Sequence, residues 1–484
     1  MSKSDSLAQL QEILLRDELV CRLKIEAVTP IWIGGYDTEA VHEDLGRESL
    51  RSSSVKGVWR WWARSLISAA TFESQNKFPS IKEADEVVSK LMGRGGESSS
   101  QSLYRITVEE EDVKYIILPN CTGQEYCHRC SNRSKEELDK LEEVARLNLY
   151  NLGKAIHEKR TSFIDTGSRF IISVYRQSLK PNEAYDAFII HSLILALTLG
   201  GVGKANTRGF GKFKVLSIEI PSETVCKKIE EIVYEQMKEI ESASDAQKII
   251  EELLKKGVSF ARNILGNESV TTSSDLPLFE TPVDGFFQIS VPDITFDSDL
   301  LALKSIGYAT LKSEWKKAKR GFKTRGIEFD TWILGLPRFL LNLVDAKFDV
   351  NILKQKLLNN MIRVNCSSKF AENISKKIKK VRKKGKEKIY IPTGYLVSEI
   401  GESLRRKSPI IFSPLKSKEG KYYIAIIGFR TYDWEKVHLL HIGFLTTRPD
   451  FAVTRISTNR NAVDNAFRDA MSCVEKIIKT PPKK

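Results

Sequence analysis

The chain has 484 residues, 41% of them hydrophobic and 29% charged, and its 76 Lys/Arg against 62 Asp/Glu leave a formal charge of +14. This composition describes a soluble globular protein rather than a disordered chain, and the length suffices for more than one buried core, so two domains are expected. No apolar run reads as long enough to span a bilayer and the polar start Met1–Ser6 is unlike a signal peptide, so a cytoplasmic protein without membrane partners is expected.

The positive charge is concentrated. Lys304–Arg325 contains eight Lys/Arg and one acid, and Lys369–Lys388 contains ten against two, so these two windows carry the whole excess. Clustering of this kind points to a polyanion partner held in a salt-sensitive way, with a pair of solvated basic loops as the plainer alternative.

In chain order, residues 1–16 read as a short amphipathic helix or arm. Glu18–Val28 alternates as a strand, with Leu19, Cys21, Leu23, Ile25 and Ala27 on one side, and stops at Thr29-Pro30. Trp32-Ile33-Gly34-Gly35 opens a loop that holds Glu39, His42, Glu43 and Asp44. Arg51–Arg64 (RSSSVKGVWRWWAR) then reads as a helix with Ser52–Ser54 as N-cap candidates. At about 100° per residue, Val55, Val58, Trp59, Trp62 and Leu66 share a core face, and Lys56, Arg60 and Arg64 form a cationic stripe beside it. With Arg51 and Ser54 at the helix start, the stripe is a candidate phosphate surface; ordinary packing with snorkelling arginines is the alternative.

Seven cysteines is an odd count. Cys21, Cys226, Cys366 and Cys473 are scattered, whereas Cys121, Cys127 and Cys130 cluster. Three thiolates make most of a tetrahedral zinc site, with His157 or a distant cysteine better placed as fourth ligand than the adjacent His128; a local disulfide and free thiols are the other readings.

Ser102–Val108 reads as a strand, Glu136–Arg160 as a helix, Ser168–Gln177 as a strand and Ala187–Leu199 as a buried helix. That helix runs into Gly200–Gly211 (GGVGKANTRGFG), after which Lys212–Ile220 alternates like a strand. Gly200, Gly201, Gly203, Gly209 and Gly211 permit positive φ and close approach of another chain, while Lys204 and Arg208 place charge among exposed N–H groups. Such a loop suits a polyanion backbone, and a mobile connection is the bland alternative. It is not a nucleotide P-loop, because the helix precedes the loop and the spacing before Lys204 is wrong.

Ser222–Leu265 reads as charged helix and Gly266–Asp284 as a Ser/Thr/Pro-rich linker, with Gly285–Phe296 opening a second unit. Lys316, Lys317, Lys319 and Arg320, interleaved with Trp315 and Phe322, are candidate RNA contacts; core packing of the two aromatics is the alternative. Lys376–Lys388 is too like-charged to fold alone and is expected to be disordered or to order only on RNA. Arg405–Pro409 leads into a strand pair, Ile410–Pro414 and Lys421–Phe429.

The first half thus reads βαββαβ. The expected fold class is α+β, two ferredoxin-like (RNA-recognition-like) domains with insertions. The first covers 1–221 with a cysteine-containing insertion at 93–135, a helical segment and linker cover 222–284, and the second domain covers 285–484 with basic insertions.

Thr29–Gly35, Leu50–Arg64 and Gly200–Gly211 together resemble the RAMP (repeat-associated mysterious protein) superfamily of CRISPR systems. The tryptophan-rich helix, with Trp332–Arg338 and Arg405–Pro409, is similar to the head subunits of type III-B (Cmr) effector complexes. The resemblance implies two ferredoxin-like domains that bind crRNA towards its 3′ end and help to engage target RNA beside other Cmr-type RAMP subunits. It implies no catalytic set and no required cofactor, and the cysteine insertion and long basic segment are not part of its pattern. Glycine-loop residues Gly200, Gly201, Gly203, Lys204, Arg208, Gly209 and Gly211 would line the RNA, with Arg51, Ser54, Lys56, Arg60 and Arg64 as a second surface.

The leading expectation is a non-catalytic RNA-binding scaffold whose loop N–H groups and cations contact phosphates without reading sequence. The alternative is a metal-independent endoribonuclease that processes precursor crRNA, with His42 as general base.

Overall fold

The structure, a computed structural model, describes residues 18–33, 49–94, 100–118, 133–148, 161–177, 182–229, 239–266, 270–311, 314–315, 331–334, 338–345, 347–383, 386–398, 408–436, 438–445 and 449–480. It is a mixed α+β protein that divides into two compact units. The first comprises Met1–Arg320, Ile411–Phe429 and Cys473–Lys484; the second comprises Gly321–Ile410 and Arg430–Ser472.

The first unit is built on β1 (Glu18–Ala27), α1 (Ser52–Gln75), α2 (Ile81–Met92), β2 (Tyr104–Asp112), β3 (Tyr115–Leu118), α3 (Lys135–Asn148), β4 (Thr161–Ile164), β5 (Arg169–Arg176), α4 (Glu183–Leu195) and β6 (Phe213–Glu219). Four of the strands form an antiparallel sheet in the order β2-β5-β1-β6. β1 alternates as expected and buries Cys21, Leu23, Ile25 and Ala27. With α1 and α4 as the connecting helices, these strands follow one another as βαββαβ.

Helix α1 buries Val55, Trp59, Trp62 and Leu66, the face set by its spacing. Its N-cap is Arg51, extended and without a side-chain cap, so Ser52–Ser54 lie inside the first turn instead of capping it. α2 opens on a capping box, with Glu83 N–H donating to Ser80 Oγ and Ser80 N–H to the Glu83 carboxylate. α4 begins where Asn182 Oδ1 accepts from the N–H groups of Ala184 and Tyr185, each at 3.1 Å. Contrary to the sequence reading, the 18 residues Glu183–Gly200 are long and apolar enough for a membrane span, yet 83% of them are buried within the protein.

The chain continues with α5 (Ala243–Leu265), β7 (Phe287–Ser290) and α6 (Asp299–Ala309), and returns to the first unit with β11 (Ile410–Lys416) and β12 (Tyr422–Phe429) after the second. β7, β12 and β11 form a three-stranded sheet whose Ile411, Ala425 and Ile427 join the core around α1, α4 and α5. The stretch read as a linker is therefore packed: Val270, Phe279 and Val283 are buried, and Thr281 Oγ1 donates to Ser68 Oγ at 3.0 Å. β7, β11 and β12, read as parts of a second domain, sit in the first unit because their apolar residues complete its core.

The second unit contains β8 (Arg338–Asp345), α7 (Val350–Arg363), α8 (Ser368–Ser375), β9 (Lys379–Lys383), β10 (Lys386–Ser398), β13 (His438–Leu445), β14 (Asp450–Ile456) and most of α9 (Arg460–Lys479). Its sheet runs β14-β13-β10-β8, with β9 also paired to β10. The path β8-β10-β13-β14 follows chain order with β9 off it, so among the described residues this sheet does not repeat the order of the first and does not show a second ferredoxin-like domain. Leu353, Leu357 and Met361 of α7 and Phe370 and Ile374 of α8 pack with Ile389, Ile391, Leu440 and Ile442. Lys379–Lys383, expected to be disordered, is a strand: antiparallel pairing to β10, whose Ile389 and Ile391 are buried, supplies the order that like charges oppose.

Candidate nucleic-acid interface

The glycine loop starts where α4 widens into one π-helical turn, Ala196–Gly200, closed by Gly201 N–H donating to the Ala196 carbonyl at 2.8 Å. The buried ammonium of Lys212 donates to the carbonyls of Leu199 (2.5 Å) and Gly200 (2.8 Å), placing a cation on the negative end of the helix. The loop is then sewn into the first unit. Val202 N–H donates to Gly211 O, Gly211 N–H to Pro30 O, Lys204 N–H to Trp32 O and Phe412 N–H to Thr207 O, at 2.7–3.0 Å. Thr29 Oγ1 donates to Gly209 O at 2.7 Å.

Two glycines are dictated by this packing. At Gly203 (φ +96°) a Cβ would lie 2.5 Å from Trp32 O, and at Gly211 (φ +68°) 1.9 Å from Val202 O. The close neighbour that these positions admit is the chain itself, and the N–H groups of Gly201, Gly209 and Gly211 donate to the carbonyls of Ala196, Asn206 and Pro30. That corrects the expectation that the whole loop offers its main chain outward.

The tip is different. Residues 203–208 are half-buried, whereas 200–202 and 209–212 are buried. Across the tip, the main-chain N–H groups of Gly203, Ala205 and Asn206 have no partner among the described residues. Ala205 holds a left-handed φ of +58°, unusual without glycine, two residues after left-handed Gly203. Lys204 N–H, between them, is taken by the Trp32 carbonyl. Lys204 lays its ammonium 4.9 Å from the centre of the Trp32 ring. Burial lowers the Arg208 guanidinium to about 10.

The loop rests on an aromatic floor, with Trp32–Phe163 and Phe163–Phe210 centroids 5.7 and 6.5 Å apart, and on Leu303 and Ile306 of α6. α6 is tied down by Asp299, which accepts from Arg133 Nη2 and Thr166 Oγ1, each at 2.6 Å, while Arg133 Nε donates to Asp165 at 2.8 Å. Sequence reasoning missed Lys212, Thr29 and this buried charge cluster. Only the first carried a local signal, a lysine directly after the glycines.

The helix stripe meets α2 instead of solvent. Arg60 donates to Asp85 Oδ1 (2.8 Å), Ser89 Oγ (3.0 Å) and the Gly93 carbonyl, and Arg64 donates to Asp85 Oδ1 at 3.3 Å. Lys56 Nζ donates to Ser102 Oγ at 3.2 Å, and burial and then Arg60 lower its pKa. Arg51 and Ser54 are half-buried at the helix start, where Ser54 N–H donates to Arg51 O at 3.0 Å. The stripe is thus largely a helix-to-helix clamp, formed because α2, absent from the sequence reading, brings Asp85 alongside it.

Trp315 is fully buried, its Nε1 donating to Ala309 O at 2.7 Å, so it is a core residue. Lys316, Lys317, Lys319 and Arg320, the cysteines Cys121, Cys127 and Cys130, His42 and His157 lie outside the described residues. Cys21, Cys226, Cys366 and Cys473 form no disulfide among the described residues.

Residues 24–214 match the RAMP superfamily model. The chain is 23% identical to CRISPR system CMR subunit Cmr1 of Saccharolobus solfataricus, over 42% of this chain and 56% of that protein. It is 29% identical to CRISPR system Cmr subunit Cmr1-2 of Pyrococcus furiosus, over 40% of this chain and 92% of that protein. The match thus spans little more than half the length of the first relative. Among solved structures, a chain of type III-B Cmr-beta bound to cognate target RNA aligns at TM-score 0.51 and 14% identity, covering 94% of this chain and 100% of that one. A chain of Cmr-beta bound to cognate target RNA and AMPPnP in the presence of ssDNA aligns at 0.54 and 16%, with the same coverage. At these identities the likeness is one of fold.

Proposed function

We propose that this chain, whose residues 24–214 match the RAMP superfamily model and which is similar in sequence to Cmr1 subunits, is an RNA-binding, non-catalytic subunit of a type III-B CRISPR effector. In this reading it holds crRNA near its 3′ end, helps to engage target RNA and stands beside other Cmr-type RAMP subunits. The observation that carries the reading is the tip of the glycine loop: a half-exposed arc that carries Lys204 and Arg208 and in which the N–H groups of Gly203, Ala205 and Asn206 have no partner among the described residues. Contacts of this type grip phosphates and ribose without selecting bases, as a subunit serving many guides requires. Among the described residues the first unit holds one histidine, His191, which is fully buried and shifted down to about 4, a poor place for a general base.

The test is Lys204→Ala with Arg208→Ala. The double variant is expected to weaken single-stranded RNA binding and to reduce the slope of log K against log salt by about 1.4, the loss of two phosphate contacts. Unchanged affinity and slope would remove the loop from the interface.

A further inference from the structure

The second unit exposes a cationic sheet face unrelated to the glycine loop. β9 and β10 pair with Lys379 opposite Tyr390, Val381 opposite Lys388 and Lys383 opposite Lys386. β8 extends two of these rows, with Leu343 opposite Tyr390 and Asp345 opposite Lys388. Residues directly opposed share a face. The reverse face carries Ile389 and Val344, which pack with α7 and α8. On the first face Lys379, Lys386 and Leu343 are exposed, Leu343 by 37%, and Val381, Lys388 and Tyr390 are half-buried. Neither Lys379 nor Lys386 has an acidic partner among the described residues.

Two features of this face have no use in the isolated fold. Lys379 and Lys386 are exposed cations on one side of the sheet. An exposed leucine beside a half-exposed tyrosine adds nothing to the core. A ligand that is anionic along its length and also offers flat apolar surfaces uses both, and a single strand of nucleic acid is such a ligand: phosphates answer the lysines, and bases stack on an aromatic ring. An acidic protein surface would answer only the charge.

We propose that this face binds a single ribose-phosphate strand, with Lys379 and Lys386 on phosphates and Tyr390, backed by Leu343, as a base-stacking platform. The site rests on the reading of the chain as an RNA-binding subunit but uses none of the glycine-loop residues.

The test titrates the full chain with a fluorescein-labelled oligouridine of about 20 nucleotides, longer than a typical single-strand site, at several salt concentrations. Lys379→Ala with Lys386→Ala is expected to lower affinity and cut the salt slope by about 1.4, while the unfolding midpoint holds, since both side chains are exposed. Tyr390→Leu is expected to lower affinity about fivefold or more at unchanged slope, with Tyr390→Phe restoring it. The same variants in a Lys204→Ala/Arg208→Ala background separate the two sites, since an effect that persists there supports the hairpin even if the loop is not an interface. Unchanged affinity and slope in both hairpin variants would overturn the proposal, as would loss of an acidic protein partner with RNA binding intact.

Discussion

At Gly211 the left-handed backbone and the Val202 carbonyl 1.9 Å from any Cβ leave room for no side chain. Gly211→Ala is expected to cost at least about 3 kcal/mol in urea unfolding, because strain and backbone collision add. Gly57, exposed on α1 with nothing within 4 Å of a built Cβ, is the control: Gly57→Ala is expected to gain about 0.5–1 kcal/mol through helix propensity. His191 gives a second residue-level test. Its Nε2 is 2.7 Å from the Leu253 carbonyl, so Nε2 carries the hydrogen, and burial holds the ring near pKa 4 against 6.5 when exposed. The unfolded chain takes up a proton below pH 6.5 and the folded chain does not until about pH 4. Stability is therefore full above 6.5 and falls by about 3 kcal/mol between 6.5 and 4. Chemical unfolding across that range should show the loss in the native sequence and its absence in His191→Gln; equal pH dependence in the two would refute the assignment.

At the level of elements, α1 and α2 are clamped by Arg60, Arg64 and the one carboxylate of Asp85. Arg60→Ala is expected to lower unfolding stability by about 1–2 kcal/mol and to leave RNA affinity unchanged, since the guanidinium is engaged within the fold. Reduced affinity at unaltered stability would return the stripe to the interface. β1, α1, β5 and β6 were legible because period-2 or period-3.6 burial is written into each of them, and α4 because its apolar run is almost unbroken. α2 was not, although Ser80-Ile-Lys-Glu83 is a capping-box signature ahead of it. Its absence made a clamp look like a phosphate stripe. The loop was legible as a place but not as a geometry: composition located Lys204 and Arg208, whereas only the fold shows which N–H groups Pro30, Trp32 and Thr29 leave uncommitted. β9 was misread because charge density was weighed without the buried Ile389 and Ile391 of its partner strand.

For the whole molecule, the excess of +14 gathers in two windows, and the second of these supplies most of α8, β9 and the start of β10 in the second unit, while the glycine loop belongs to the first unit. The chain-order division into an N-terminal and a C-terminal domain fails as a description because β11 and β12 return to complete the first core, a non-local contact that no window of sequence records. The central claim is that the loop tip touches RNA. Photo-crosslinking of the full chain to 4-thiouridine RNA, with the adducts mapped by mass spectrometry, tests it at the residue. Adducts are expected within residues 203–208 and are expected to vanish in Lys204→Ala/Arg208→Ala; efficient crosslinking elsewhere with none in that arc would contradict it.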